Sequence, residues 1–301
     1  MPVRIACGLA LLLAATAVTG AQDGVFRSST RIVPVVTTVT DGEGRLVPGL
    51  SVEDFTILDN GRPQEISFFQ SEVQPFTAVV MLDFSASMTA NLDRLKAATE
   101  QFLLRMLPDD QAQVGAFSDK IQMSGTFTSD RDDLIGALSD LQFGNPTRLY
   151  DAIDESMNQL EPLGGRKVVL VFTDGEDTAS RQGLGDVLDR ARLSEIMVYA
   201  IGLEAEYFDG VRRVRSQPDR GLRRLAEQTG GGYFELERTD ELGPTFTRVA
   251  QELHSQYTLG FTPLVLDDKE HRLEVRMSDR NMRARARRSY TASQDRLSDA
   301  P

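Results

Sequence analysis

From Thr77 onward the chain alternates short, unbroken apolar runs with longer segments in which apolar residues recur every three or four positions. The run Thr77-Ala78-Val79-Val80-Met81-Leu82 has no polar interruption, the pattern of a strand covered on both faces of a parallel sheet. Lys167 to Phe172 and Ile196 to Ile201 repeat it. Leu92, Leu95, Phe102, Leu103 and Met106 fall on one face of a predicted helix that should end at Pro108. Val114-Gly115-Ala116-Phe117 and Ile121 to Phe127 read as a hairpin-linked pair of strands. Further helices are predicted near 131–141, 148–160, 185–194, 220–228 and 240–255, with Tyr233-Phe234 in another strand. This alternation predicts a doubly wound α/β domain with a mostly parallel sheet over residues 75–256.

The flanks carry a different pattern. Ile32 to Thr40 is dense in Val and Thr, and Asp41-Gly42-Glu43-Gly44 is a turn. Asp59-Asn60-Gly61 separates Phe55-Thr56-Ile57-Leu58 from Glu65-Ile66-Ser67-Phe68-Phe69, which predicts a hairpin. Tyr257 to Phe261, His271 to Met277 and Met282 to Tyr290 read as three more strands. The expected division is a leader over 1–21, an N-terminal β segment over 22–74, the α/β domain over 75–256, a C-terminal β segment over 257–291 and a loose tail over 292–301.

The leader follows from Arg4, the apolar stretch Ile5 to Val18 and the small residues Thr19-Gly20-Ala21, which together form an export signal with cleavage expected near Gln22. That stretch is shorter than the roughly 20 apolar residues a spanning helix needs. No later segment is long enough either, so a soluble periplasmic, secreted or surface-associated product without a transmembrane segment is expected. The lone cysteine, Cys7, lies in the leader, which excludes disulfides and thiolate chemistry from the processed chain. With 301 residues, 41% of them hydrophobic, the chain can bury an ordinary core and must rely on it. The formal net charge is -12, and loss of Arg4 gives -12 - 1 = -13. Nucleic acid and anionic lipid are therefore disfavoured partners.

Open α/β sheets bind ligands beyond the carboxyl ends of their strands. Asp83-Phe84-Ser85-Ala86-Ser87 follows the strand that ends at Leu82, and Thr173-Asp174-Gly175-Glu176-Asp177 follows the strand that ends at Phe172. Thr147 stands between Gly144-Asn145-Pro146 and the helical Leu149-Tyr150-Asp151-Ala152. Asp83, Ser85, Ser87, Thr147 and Asp174 make an all-oxygen set that suits a hard cation such as Mg²⁺, Mn²⁺ or Ca²⁺. A cation held largely by neutral hydroxyls retains positive charge with which to recruit an external carboxylate.

Asp-x-Ser-x-Ser after an apolar strand, Thr before Leu-Tyr-Asp-Ala, and Thr-Asp-Gly closely resemble the metal-ion-dependent adhesion site of von Willebrand factor A domains. The resemblance covers roughly 180 residues and implies the Rossmann-like fold of that family. It further implies Ser85 and Ser87 as direct ligands, Thr147 as direct or water-bridged, and Asp83 and Asp174 as largely outer-sphere, with Mg²⁺ the first expectation. The function implied is non-enzymatic: binding of a partner protein through a Glu or Asp side chain, with loops such as 203–218 setting specificity. Val-x-Asp-x-x-Gly-x-Leu-Val-x-Gly-Leu over 39–50 and Gln256-Tyr257-x-Leu-Gly-Phe261 are similar to the bacterial group of exported von Willebrand A-related proteins. By that analogy the two β flanks pack into one accessory module.

Other readings compete. Asp and Ser are common helix caps, and Ser87 stands just ahead of a helix. Asp83 also permits a metal-dependent hydrolase or phosphatase, although Ser85 occupies the place where such enzymes put a second acid; a purely structural metal is the third alternative. Glu176 and Asp177 are expected in a solvated loop or cap, and Thr173 in the core. His254 and His271 lie outside the motif loops and are expected at the surface, which leaves a Ser-His-Asp triad unsupported. Gly230-Gly231-Gly232 reads as a turn, and Arg283, Arg285 and Arg287 as a solvated strand face.

Overall fold

A computed structural model describes residues 31–204, 206–208 and 212–299; the expected leader lies outside them. The chain opens with strands β1 (Arg31–Thr40), β2 (Phe55–Asp59), β3 (Arg62–Gln64) and β4 (Phe68–Gln70). The α/β region follows as β5 (Phe76–Asp83), α1 (Leu92–Leu103), β6 (Gln111–Phe117), β7 (Ile121–Met123), α2 (Arg131–Asp140), α3 (Leu149–Leu160) and β8 (Arg166–Thr173). It continues with α4 (Leu184–Ser194), β9 (Met197–Leu203), a small hairpin of β10 (Glu206–Phe208) and β11 (Arg213–Arg215), α5 (Arg220–Thr229), β12 (Tyr233–Leu236) and α6 (Leu242–His254). Strands β13 (Tyr257–Phe261), β14 (Glu270–Met277), β15 (Arg283–Arg285), β16 (Ser289–Thr291) and β17 (Ser298–Asp299) complete it. No helix of the described residues is long and apolar enough to cross a membrane.

The central sheet runs β12-β9-β8-β5-β6-β7, parallel except for the β6–β7 hairpin. Strand β5 shows why its sequence lacks polar alternation. Ala78, Val80 and Leu82 pack with Phe102 of α1, Leu138 of α2 and Phe246 of α6. Val79 and Met81 face the opposite layer, with Ile153 of α3, Leu188 of α4 and Leu225 of α5. A strand covered on both faces has no solvent side on which to place polar residues. Chain order reverses beside β5: β6 lies on one side of it and β8 on the other. That crevice is where such sheets bind ligands.

The two β flanks associate directly. Strand β1 pairs antiparallel with β13, Val35 opposite Leu259, and β2 pairs with β14, Ile57 opposite Val275. Two sheets, β15-β1-β13-β4 with β17 on β1, and β16-β14-β2-β3, enclose a separate apolar core that includes Val35, Ile57, Phe261 and Leu273. Phe55 lies 5.2 Å from Tyr257, ring centre to ring centre, within this core.

Several expectations change here. Asn60 and Gly61 both have positive φ, 48° and 78°, and form a two-residue hairpin turn. The turn puts Arg62 opposite Asp59, so the return strand is Arg62–Gln64, and Phe68–Gln70 cross to β13 in the other sheet. The expected strand Met282 to Tyr290 divides into β15 and β16, on different sheets. Between them Arg287 bridges Thr229 at the end of α5. The next residues form the predicted glycine turn: Gly230 has φ +83°, and a Cβ on Gly231 would lie 2.1 Å from the Val198 carbonyl oxygen. Residues 298–299 are not a loose tail but pair with β1.

The arginines and histidines also differ from expectation. Arg283 is exposed, but Arg285 forms an ion pair with fully buried Glu252 and lies over the Tyr199 ring. The Arg287 side chain, 12% exposed, donates to Glu195 and to the Pro34 carbonyl. Gln256 joins the same junction, donating to Thr38 Oγ1 at 2.9 Å and Tyr199 O–H at 3.1 Å. The alternation of arginines therefore fastens the β module to the α/β domain. His254 is paired with Asp110 Oδ2 at 2.7 Å. His271 is 6% exposed and sits between Asp59 and Asp267, beside Tyr290. Both histidines are held by carboxylates inside the structure, which the surrounding sequence gave no means to foresee.

Candidate metal centre

Adjacent strands β5 and β8 end side by side, with Leu82 opposite Phe172. This brings the two motif loops together at the point of chain reversal. Asp83 is fully buried, and its Oδ2 accepts from the Thr173 hydroxyl at 2.6 Å. Its Oδ1 accepts from the Ser85 N–H at 2.9 Å, which turns the chain so that Ser85 and Ser87 lie on the same side. The two hydroxyls are 3.1 Å apart, and Ser87 Oγ donates to Asp174 Oδ1 at 2.7 Å.

The helix-cap alternative for the serines is not what the structure displays. A short 3-10 turn over Ala86–Asn91 begins after Ser85, without a side-chain cap from Ser85. The Ser87 hydroxyl reaches across to the other loop instead.

Thr147 joins through its main chain. Its carbonyl accepts from Thr178 N–H at 3.0 Å and Ala179 N–H at 3.1 Å, and its own N–H donates to Thr178 Oγ1 at 3.0 Å. The Gly144 N–H donates to the Phe84 carbonyl at 3.1 Å, so the segment before Thr147 is stitched to the Asp83 loop as well. All five residues thus occupy three interlocked loops, with direct side-chain bonds among Ser85, Ser87 and Asp174.

Burial perturbs both carboxylates of the centre. Burial pushes the Asp83 carboxyl above the ordinary aspartate range, partly offset by its bonds from Ser85 and Thr173. Burial, and then the neighbouring charge of Asp83, push Asp174 up to about 7. Asp174 Oδ2 is buried without a hydrogen-bond partner. Among the described residues no group of three or more His, Cys, Asp or Glu is placed to hold a metal ion, and the side-chain oxygens beside the two carboxylates of this centre are hydroxyls. Two buried carboxylates, one with an orphaned oxygen, beside neutral hydroxyls are a donor set that fits a hard divalent cation.

Thr173 was expected to pack in the core; it is buried, but its hydroxyl holds Asp83. Thr173→Val should therefore lower stability by about 1–3 kcal/mol by leaving a buried carboxylate oxygen unpaired. Urea denaturation checks this, and an unchanged midpoint would remove the bond's importance.

Asp177 is a cap, for a helix in another segment: its Oδ1 accepts from Leu149 N–H at 2.9 Å at the start of α3. Glu176 is exposed. Sequence reading passed over Asp219, whose carboxylate accepts from Tyr150 O–H at 2.6 Å, Gly221 N–H at 2.7 Å and Asp177 N–H at 3.2 Å. It ties the Asp174 loop, α3 and the start of α5 together. Its available sequence signal was an aspartate one residue before a helix, which indicates a cap and nothing about the other two partners.

Residues 78–176 match the family model of the von Willebrand factor type A domain. A search of the curated proteins finds no match. Among solved structures, an aerotolerance-related membrane protein from Bacteroides fragilis is similar at 18% identity and TM-score 0.51, over 59% of this chain and 98% of that one. A von Willebrand factor type A protein from Catenulispora acidiphila is similar at 13% identity and TM-score 0.52, over 89% of this chain and 76% of that one. Proximal thread matrix protein 1 from the mussel byssus, solved with a zinc-occupied MIDAS motif, is similar at 17% identity and TM-score 0.52, over 65% of this chain and 50% of that one. At these identities the likeness concerns the fold. The matched segment runs from within β5 to just past Asp174, and over it the chain is similar to a von Willebrand factor type A domain, with the doubly wound sheet in agreement.

Proposed function

We propose that Asp83, Ser85, Ser87, Thr147 and Asp174 hold a divalent cation, Mg²⁺ in the first place and otherwise Mn²⁺ or Ca²⁺, and that this cation captures a Glu or Asp side chain of a partner protein. The observation that carries the reading is the orphaned, buried Asp174 Oδ2 beside the Ser85–Ser87–Asp174 hydroxyl chain. A cation there neutralises two carboxylates that otherwise repel, and it accepts lone pairs of the Ser85 and Ser87 hydroxyls. The zinc-occupied MIDAS motif of the mussel protein supports a divalent ion at this place in the fold.

The role is non-enzymatic binding by an exported protein, in adhesion or assembly. Ser85 and Ser87 contact the ion directly, Thr147 contacts it directly or through water, and the two aspartates act mainly from the outer sphere. Hydroxyl ligands leave positive charge on the ion, and a partner's carboxylate completes its coordination.

The test is capture from the native envelope fraction by the processed chain, with and without EDTA. Chelation should release the partner and Mg²⁺ should restore it. Ser85→Ala should bind at least tenfold more weakly while its circular-dichroism melt stays cooperative. Undiminished capture by Ser85→Ala, or in EDTA, would sink the proposal.

A further inference from the structure

At the opposite end of the central sheet lies a cavity of about 530 Å³, between the α/β domain and the β module. Arg166 begins β8 and Thr173 ends it, which separates the cavity from the metal centre by about 23 Å at the usual rise of a strand. The walls are mostly apolar: Ile32, Pro34 and Val36 of β1, Phe68 of β4, Met197 at the start of β9 and Ile196 just before it all line it. Set into these walls are four cations, Arg166, Lys167, Arg192 and Arg287, against one carboxylate, Glu195. The excess is 4 - 1 = +3, in a chain whose net charge is -12.

The cationic groups are incompletely satisfied. Arg166, Arg192 and Arg287 each have a buried Nε without a hydrogen-bond partner. Arg166 spends its terminal nitrogens on neutral acceptors: the Gln74 carbonyl at 2.8 Å, the Leu253 carbonyl at 3.0 Å and the Gln256 side chain. Among the described residues it makes no ion pair. Arg192 donates to Gln228 Oε1 at 2.8 Å, and its ion pairs with Asp189 at 3.5 Å and Glu270 at 3.6 Å are longer than close hydrogen-bonded ones. Arg287 alone has a close carboxylate, Glu195 at 2.6 Å. Burying a guanidinium such as that of Arg166 without a close counter-charge is costly, and an anion bound in the cleft relieves that cost.

We propose that this cleft binds a small amphiphilic carboxylate, with an apolar body against the β1 and β9 residues and its carboxylate among the arginines. The volume is that of an ordinary small-molecule site, and a junction between two modules is a common place for one. Planar guanidinium forks suit a carboxylate. The inference does not depend on the metal reading.

The probe is the fluorescent anion 8-anilinonaphthalene-1-sulfonate, bound to the folded chain and displaced by decanoate or by 1-decanol. Every titration contains EDTA, so that a carboxylate on a metal cannot contribute. Decanoate should displace the dye at least tenfold more effectively than the neutral alcohol. Arg192→Gln should erase that preference while leaving the alcohol's affinity unchanged. A Cβ on Gly164, which lines the cavity, meets no atom within 4 Å, so a side chain can start there without a clash, and Gly164→Trp should weaken both ligands by narrowing the cleft. Equal displacement by decanoate and decanol would overturn the proposal. So would absence of dye binding, or parental decanoate affinity in both variants with melts that match the parent.

Discussion

Replacing Asp174 with asparagine is expected to stabilise the metal-free protein at neutral to mildly alkaline pH, and to abolish the stabilisation that a divalent cation confers. In the folded protein burial and the charge of Asp83 raise this carboxyl from 3.8 to about 7. The folded state therefore keeps a proton that the unfolded chain releases near its ordinary value. Below both values the group favours neither state; as pH rises from about 4 to about 7, ionisation disfavours the fold progressively, because the unfolded chain binds fewer protons than the native one. The full difference corresponds to about 4 kcal/mol, and the asparagine variant should recover about 2–4 kcal/mol of it at pH 8. Wild-type protein should instead gain about 2.7 kcal/mol from a cation at a hundredfold excess over its dissociation constant. Thermal melts at pH 5 and pH 8, with EDTA or Mg²⁺, separate these effects. A variant less stable than wild type in EDTA at pH 8 would show that Asp174 is not held in a repulsive pair.

Loss of the Arg285 guanidinium should be strongly destabilising at the junction of the two modules. Arg285→Met leaves Glu252 fully buried, with only the half-exposed Arg248 at 3.3 Å as a counter-charge. Removing one partner of a buried ion pair costs about 3–5 kcal/mol, and the remaining arginine places this case near 3 kcal/mol. The variant also loses the contact of the guanidinium with the Tyr199 ring, 5.6 Å away. Adding Glu252→Gln should restore most of the stability, because the uncompensated charge is then gone. Urea denaturation of both variants provides the measurement. A loss below about 1 kcal/mol in Arg285→Met would mean that the ion pair does not fasten the β module.

The α/β half was legible because a two-sided parallel sheet imposes unbroken apolar runs. Residues 77–82 were read as a strand and lie within β5, while 148–160 was read as a helix and corresponds to α3. The site was legible for a related reason: in this architecture the residues that follow a buried strand stand at the sheet's carboxyl edge. Asp83 and Asp174 are two such residues, and the structure joins their loops through Ser87. What failed was the assignment of polar residues away from strand ends. Arg285 and Arg287 alternate with small apolar residues just as a solvated strand does, and no local pattern reveals that Glu252 or the Pro34 carbonyl waits for them. His271 and Asp59, 2.8 Å apart, are more than two hundred residues apart in sequence.

By itself, then, the sequence determined the main strands and helices of the α/β domain, though not the β10–β11 hairpin within the expected loop 203–218, together with the turn at Asn60-Gly61 and the identity of the three loops that face one another. Each of these depends on periodicity or backbone preference, which are properties of neighbouring residues. Only the tertiary structure decided that Phe68–Gln70 belongs with β13 and that β15 and β16 part company. It also decided that Thr173 holds Asp83, that Asp219 ties three segments together, and that four cations and one carboxylate line a cleft between the two modules. Those outcomes depend on which charges and hydrogen-bonding groups meet after folding, a long-range matter on which local sequence is silent.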